Sequence, residues 1–263
     1  MFHIIVEKMI KVTCIIQART NSVRLPNKVL ADIGGIPLIS HVIERIKTVK
    51  LISQIILATS TNLSDQILST ISKEHNIDFF TGDENDVLNR YFQAATKYHG
   101  DPIIRITGDC PLIDPLLITK MIEFFQKHDF DYISNTIERT FPDGLDVEIF
   151  SYELLKKIHE KSIWSSEREH VTPFVAKNPG LFKIYHYKNK HNFSHLRWCV
   201  DEKSDLLLIR KIFYKMKPNK LFSTDEILQL ISKNPSLIGI NNHISTNEGY
   251  QKSIDNDRIV FKK

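Results

Sequence analysis

Val12-Thr13-Cys14-Ile15-Ile16, followed at once by Gln17-Ala18-Arg19-Thr20-Asn21-Ser22-Val23-Arg24-Leu25-Pro26-Asn27-Lys28, is the stretch on which the fold turns. Its first part is apolar or β-branched throughout, the pattern of a strand buried on both faces. The polar part carries Arg19, Arg24 and Lys28 with no acidic residue between Ile15 and Ala31. A loop sits there, ending at Pro26. Beyond it, Leu38, Ile39, Val42, Ile43, Ile46 and Val49 recur at spacings of three and four, which predicts a helix over 37–49 with Pro37 in its first turn.

Outward from that unit the alternation continues. Strands are expected at 54–59, 78–80 and 102–107, and helices at 63–75, 87–98 and 115–128. Strand–helix alternation at this pitch predicts an α/β fold with a mainly parallel sheet and helices on both faces. Ligands of such sheets bind at the carboxyl ends of the strands. After residue 128 the pattern changes to short strands at 132–134, 147–150 and 183–187, with a helix near 152–160. A strand over 196–200 then leads to Asp201, followed by helices over 205–216 and 224–232. We expect one domain over 1–244, with a nucleotide-binding half at 11–130 and an acceptor region at 131–200. From Ser245 onward the chain is polar and aperiodic, the pattern of a surface tail.

Composition narrows the class. The 263 residues hold 35 Lys+Arg against 31 Asp+Glu, a formal net charge of +4 that is too thin to imply a nucleic-acid or membrane partner. Cys14, Cys110 and Cys199 are scattered, without CxxC or CxxH spacing, which disfavours a disulfide framework or structural zinc and fits a reducing cytoplasm. The opening MFHIIVEKMIKV does not read as a secretory signal, and no apolar run of about 18 residues could span a bilayer.

Three segments can carry chemistry. The loop 17–28 can cradle phosphates, Arg by fork-like contacts and Lys as a point charge, although it lacks Walker spacing; a solvated basic turn is the alternative. Arg105-Ile106-Thr107-Gly108-Asp109 puts a carboxylate at a strand end after a glycine, and Asp201 repeats the arrangement, so the two could share one Mg²⁺. Each can equally be a turn or capping Asp. Asp146 and Glu148 fall on one face of a short strand, where they could bind acceptor hydroxyls or simply form the solvated face of an edge strand. In Ser166-Glu167-Arg168-Glu169-His170 we favour local ion pairing at a helix start for Glu167 and Glu169, and Cys110 reads as a small buried thiol.

Together, QARTNSVRLPNKVL, GDENDVLNRY, IIRITGDCPLIDP, SNTIERTFPDGLDVEIF, SEREHVTPF and SHLRWCVDEKSD resemble, in order over roughly residues 12–215, the spore coat polysaccharide-type cytidylyltransferases, and more distantly the acylneuraminate and 3-deoxy-manno-octulosonate cytidylyltransferases. The resemblance implies a nucleotidyltransferase fold of the glycosyltransferase-A type. It implies that Arg19, Ser22, Arg24 and Lys28 hold the CTP phosphates, that Ala18 frames the cytosine through its backbone, and that Thr59, Ser60, Arg105 and Thr107 border the nucleotide. Asp109 and Asp201 would hold Mg²⁺, with Arg19, Lys28 and Asp109 as the catalytic set. Asn135, Asp146 and Glu148 fall in the segments expected to meet the acceptor. The expected reaction is transfer of CMP from CTP to an acidic sugar with release of pyrophosphate; the alternatives are a phosphorylated acceptor, a glycosyltransferase, or a catalytically silent nucleotide-binding subunit. A homodimer reaching its partner through 132–190 is also implied.

Overall fold

A computed structural model describes residues 11–245 and 248–260. The opening segment read as lacking a secretory signal thus lies, up to residue 10, outside the described residues.

The first strand, β1 (Thr13–Gln17), lies in the middle of a seven-stranded sheet. Two short strands, β2 (Asp32–Ile33) and β3 (Ile36–Pro37), form a separate hairpin that leads into α1 (Leu38–Lys47). The chain then builds outward on one side of β1 through β4 (Gln54–Ser60), α2 (Ile67–Glu74) and β5 (Asp78–Gly82). It crosses back by α3 (Val87–Tyr98) to lay β6 (Ile103–Thr107) on the other side. After α4 (Pro115–Lys127) come β7 (Tyr132–Ser134) and β8 (Glu148–Phe150), then α5 (Tyr152–Lys161), α6 (Ser165–His170), α7 (Pro173–Lys177) and β9 (Ile184–His186). The order across the sheet is β5-β4-β1-β6-β8-β7-β9. All neighbours are parallel except at β8, which runs antiparallel to both β6 and β7. Because β1 pairs with β4 on one side and β6 on the other, the winding direction reverses there, and such a switch point leaves a crevice at the strands' carboxyl ends.

Alternation along the strands divides the interior in two. Cys14, Ile16, Leu57, Ile104, Ile106 and Ile149 face one core, which is completed by α1, α4, α8 (Lys203–Met216) and α9 (Thr224–Lys233). Ile15, Ile56, Ile103, Tyr132 and Phe150 face the other, closed by α3 and α5. Helix starts follow ordinary capping chemistry: Asp86 accepts the Asn89 N–H at 2.9 Å, Asp114 accepts that of Leu116 at 2.8 Å, and Ser223 that of Glu226 at 3.3 Å. No helix among the described residues is long and apolar enough to cross a membrane.

Two expectations are corrected. Residues 196–200 form no strand: they are buried, but the backbone makes only an isolated parallel bridge to Asp143, through Asp143 N–H to Leu196 C=O at 2.9 Å and Trp198 N–H to Asp143 C=O at 2.6 Å, and one further bond, Val200 N–H to Asp109 C=O at 2.9 Å. Burial is continuous from Leu196 to Val200, because the chain is pressed over the first core with Arg197 and Cys199 enclosed on its other side, not because it belongs to a ladder. The segment after Ser245 stays at the surface as expected, but it is not without regular structure, since α10 (Glu248–Asp255) forms there and packs against α6.

Candidate active site

Gln17 and Thr107 end their strands side by side, and the cleft opens above them. Gly108 makes this possible. A Cβ there would sit 2.8 Å from the Ala18 Cβ and 2.9 Å from the Gln17 carbonyl, a distance that side chains do not tolerate, so only glycine lets β6 turn away while its N–H donates to Gln17 C=O at 2.8 Å. The space above is about 320 Å³.

One wall is the basic loop. It is closed at its neck by the Asn27 N–H donating to Thr20 C=O at 3.0 Å, with Asn27 in the left-handed region at φ 57°, which Asn tolerates better than most residues. Its entry is tied down by buried Asp65, which accepts the Thr20 N–H at 2.7 Å, the Thr20 hydroxyl at 2.6 Å, and the Thr59 and Ser60 hydroxyls at 3.0 and 2.5 Å. Burial works to raise the Asp65 pKa, but these four bonds outweigh it and hold the carboxyl below its ordinary value. Thr59 and Ser60 are therefore committed to the loop's foundation and are not among the cleft's lining residues. Ala18 lines the cleft, but its N–H is taken by Ala58 C=O at 3.1 Å. Ser22 stands on the loop outside the lining residues.

At the far end Lys28 joins the two carboxylates. Its ammonium donates to Asp109 at 2.5 Å and to Asp201 at 2.7 Å, so residues 92 positions apart in sequence meet on one cation. Burial would lower the Lys28 pKa; the paired carboxylates overcome that and raise it above its ordinary value. Asp201 behaves conversely: burial acts to raise it, but Lys28, Arg24 and Arg197 hold it at about 2. Buried Arg197 is the hub behind this end, donating to Asp143 at 2.8 Å, Asp201 at 2.7 Å and Asp205 at 3.1 Å, while Asp205 accepts the Asp201 N–H at 3.0 Å. The Asp143 strip is fixed by Gly144, where a φ of 105° and the 2.5 Å that would separate a Cβ from the Cys199 nitrogen exclude a side chain. Arg24 completes the end, 3.1 Å from Asp201.

Arg90, Arg105, Glu169 and His170 also line the cleft. Arg90 is 2% exposed, and its Nε and Nη1 have no hydrogen-bond partner among the described residues. Burial lowers its pKa and also that of His170, there against the opposing pull of Glu169. Arg105 is braced from behind by Glu148, which also accepts the Tyr132 hydroxyl and, at 2.5 Å, that of Thr172. Glu148 is thus an interior brace, and β8 is an inner strand rather than an edge. Asn135 is likewise interior, bridging Leu145 C=O and Val147 N–H at 2.7 and 2.8 Å. Asp146 does line the cleft, gripped by both terminal nitrogens of Arg139. Thr107 lines it beside Cys110, whose buried thiol is pushed well above its ordinary pKa.

The structure therefore brings Ala18, Arg19, Arg24, Lys28, Arg105, Thr107, Asp109, Asp146 and Asp201 to one cleft and leaves Ser22, Thr59, Ser60, Asn135 and Glu148 off its lining. Glu167 follows the bland expectation, accepting the Ile163 N–H at 3.2 Å and pairing with Lys177 at 3.2 Å. Glu169 departs from it, facing the cleft 3.9 Å from Arg19. Arg197 and Arg90 were not singled out for the site; the signal for Arg197 was a charge set inside the apolar run Leu196–Val200, and Arg90 sits on the buried side of a helix.

The cytidylyltransferase family model matches residues 13–237. The chain belongs to that family. Its fold is that of the glycosyltransferase-A-type nucleotidyltransferases. Among similar proteins, this cytidylyltransferase is 34% identical to an uncharacterized protein of Methanocaldococcus jannaschii, over 89% of its own length and 96% of the relative's. It is 30% identical to the spore coat polysaccharide biosynthesis protein SpsF of Bacillus subtilis, over 84% of its length and 94% of that protein's. A solved cytidylyltransferase from Leptospira borgpetersenii superposes with a TM-score of 0.84 at 34% identity, covering 87% of this chain and 97% of that one.

Proposed function

We propose that this cytidylyltransferase transfers CMP from CTP to an acidic sugar of the ulosonic or sialic type, releasing pyrophosphate, as a step in surface polysaccharide or glycoconjugate biosynthesis. The observation that carries the reading is Lys28 clasped between Asp109 and Asp201 at the foot of a basic loop. A cation held there, with Arg24 and Arg19 along the loop, meets the charge that builds on a departing pyrophosphate. The acceptor hydroxyl oxygen would attack the α-phosphorus as the bond to the bridging oxygen breaks, its proton passing to water, and pyrophosphate leaves toward Arg24 and Lys28. Catalysis of this kind is mostly positioning and electrostatic stabilisation.

Asp109 and Asp201 fit a magnesium ion: two carboxylates already converge on one positive centre, and hard oxygen donors completed by water and phosphate are the set Mg²⁺ takes. When bound, the ion would add neutralising charge at the phosphates. Asp146, locked to Arg139, is better suited to orienting an acceptor than to taking its proton. The unpartnered nitrogens of Arg90 add positive charge to the cleft lining, which favours an anionic ligand over a neutral one. The three buried free thiols accord with a reducing, cytoplasmic setting. A homodimer would place β9, one of the sheet's two outer strands, toward its partner, and light scattering should then read about twice 30.6 kDa.

A panel of ulosonic acids, sialic acids and sugar phosphates incubated with CTP and Mg²⁺ tests the reading. Pyrophosphate should appear only with an acceptor, and with an acidic sugar in preference to a sugar phosphate. Turnover with none of them would defeat the proposal.

A further inference from the structure

Residues 248–260 lie beyond the part of the chain that the family model matches, yet Glu248, Gly249 and Tyr250 line the cleft. Their attachment is uneven. At the distal end the segment is clasped to the start of α6: Asp257 accepts the Ser165 hydroxyl and the Ser166 N–H at 2.9 Å each and the Ser166 hydroxyl at 2.7 Å. Backbone bonds reinforce the clasp, Ser165 N–H to Arg258 C=O at 2.8 Å and Val260 N–H to Ile163 C=O at 2.9 Å. In the middle, Ser253 meets Glu169 and His170 at 2.9 Å each. At the cleft end the contacts are weaker, comprising a Tyr250 ring edge-on to His170 at 5.0 Å and a Glu248 carboxylate 3.6 Å from Arg24.

Arg24 already faces Asp201 at 3.1 Å and Glu202 at 3.8 Å, so Glu248 is a third carboxylate on one guanidinium. A polyphosphate that takes Arg24 brings several negative charges against a carboxylate at ion-pair distance, and the two anions cannot share that place without cost. We propose that residues 248–260 form a strap, fastened at Asp257 and loose at Glu248, whose carboxylate competes with the nucleotide's phosphates for Arg24. Phosphate binding then lifts the cleft end of the strap, and release of the strap tightens phosphate binding by the same factor. This rests on the phosphates lying along the basic loop, as in the function proposed above.

The test uses the full chain, as wild type, Glu248→Gln and Asp257→Ala, with tripolyphosphate and CTP as separate probes in calorimetry and hydrogen exchange. Glu248→Gln should bind both probes about two- to fivefold more tightly, in line with the loss of one partly exposed charge contact. Saturating tripolyphosphate should speed exchange across 248–255 of the wild type, and Asp257→Ala should show that faster exchange without ligand. Equal affinities for wild type and Glu248→Gln, or slower exchange on binding, would overturn the strap while leaving the cytidylyl-transfer reading intact. Tripolyphosphate binding with the expected gain, while CTP fails to bind, would support the strap and count against the cytidylyl-transfer reading. Failure of both probes to bind would overturn both.

Discussion

Lys28 keeps its proton in a largely buried position because two carboxylates lie within 2.7 Å of it, and Asp201 in turn is held ionised by Lys28, Arg24 and Arg197. Remove the cation and like charges face each other across the cleft. Lys28→Ala should therefore lower kcat/KM by about a hundredfold, the usual cost of losing one group that stabilises transition-state charge. It should also make stability dependent on divalent ions: Mg²⁺ should raise the Tm of the variant more than that of the wild type, because the vacated position between Asp109 and Asp201 then invites a cation. Differential scanning fluorimetry with and without Mg²⁺ checks this, and equal shifts would separate the two carboxylates from metal binding. At this scale the sequence was informative in a specific way. Asp109 and Asp201 could be named from their places after buried apolar runs, but their meeting at Lys28 depends on the crossing of distant chain segments, which no local spacing encodes.

At the scale of elements, the basic loop is positioned by a residue outside it. Asp65 takes four hydrogen bonds, two of them from Thr20 at the loop's start, and an amide in its place would set an NH₂ against donors that need an acceptor. Asp65→Asn should cost about 1–3 kcal/mol at pH 7. Because the folded-state pKa of Asp65 is depressed, its stabilisation is fully present above the unfolded value of about 4 and is lost as pH falls through the folded value. Urea denaturation should accordingly show the gap between wild type and variant wide at pH 7 and narrowing below about pH 4; a gap independent of pH would mean that the charge of Asp65 contributes nothing. The elements themselves were largely legible, α3 and β7 to the residue and β1, β4, β5, β6 and α4 to within about two, because continuous apolar runs and helical periodicity are set by the two cores. The segment 196–200 reads as a strand since a run buried on both sides looks the same in sequence whether a ladder or an isolated bridge holds it. Glu148 was misread because a carboxylate in a three-residue strand looks solvated until Arg105, Tyr132 and Thr172 are seen to enclose it.

Over the whole molecule, the placement of the cleft follows from topology. Winding outward to β5 and returning to β6 leaves β1 as the point of reversal, and the cation-bearing loop begins where β1 ends. The near balance of charge across the chain conceals a local division, with the loop cations on one side and Asp109 and Asp201 meeting Lys28 at the far end. The C-terminal segment, which carries no apolar repeat, owes its position to Asp257 and to backbone contacts with residues 163–165, and so its role in roofing the cleft could not be read from pattern. The central claim, that this division of charge serves cytidylyl transfer, is tested most directly by following the phosphorus of CTP by ³¹P NMR in the presence of enzyme, Mg²⁺ and an ulosonic acid. The three CTP resonances should give way in equal measure to a phosphodiester signal of a CMP-sugar and to pyrophosphate, whereas unchanged CTP, or its conversion to CDP and inorganic phosphate, would contradict the account.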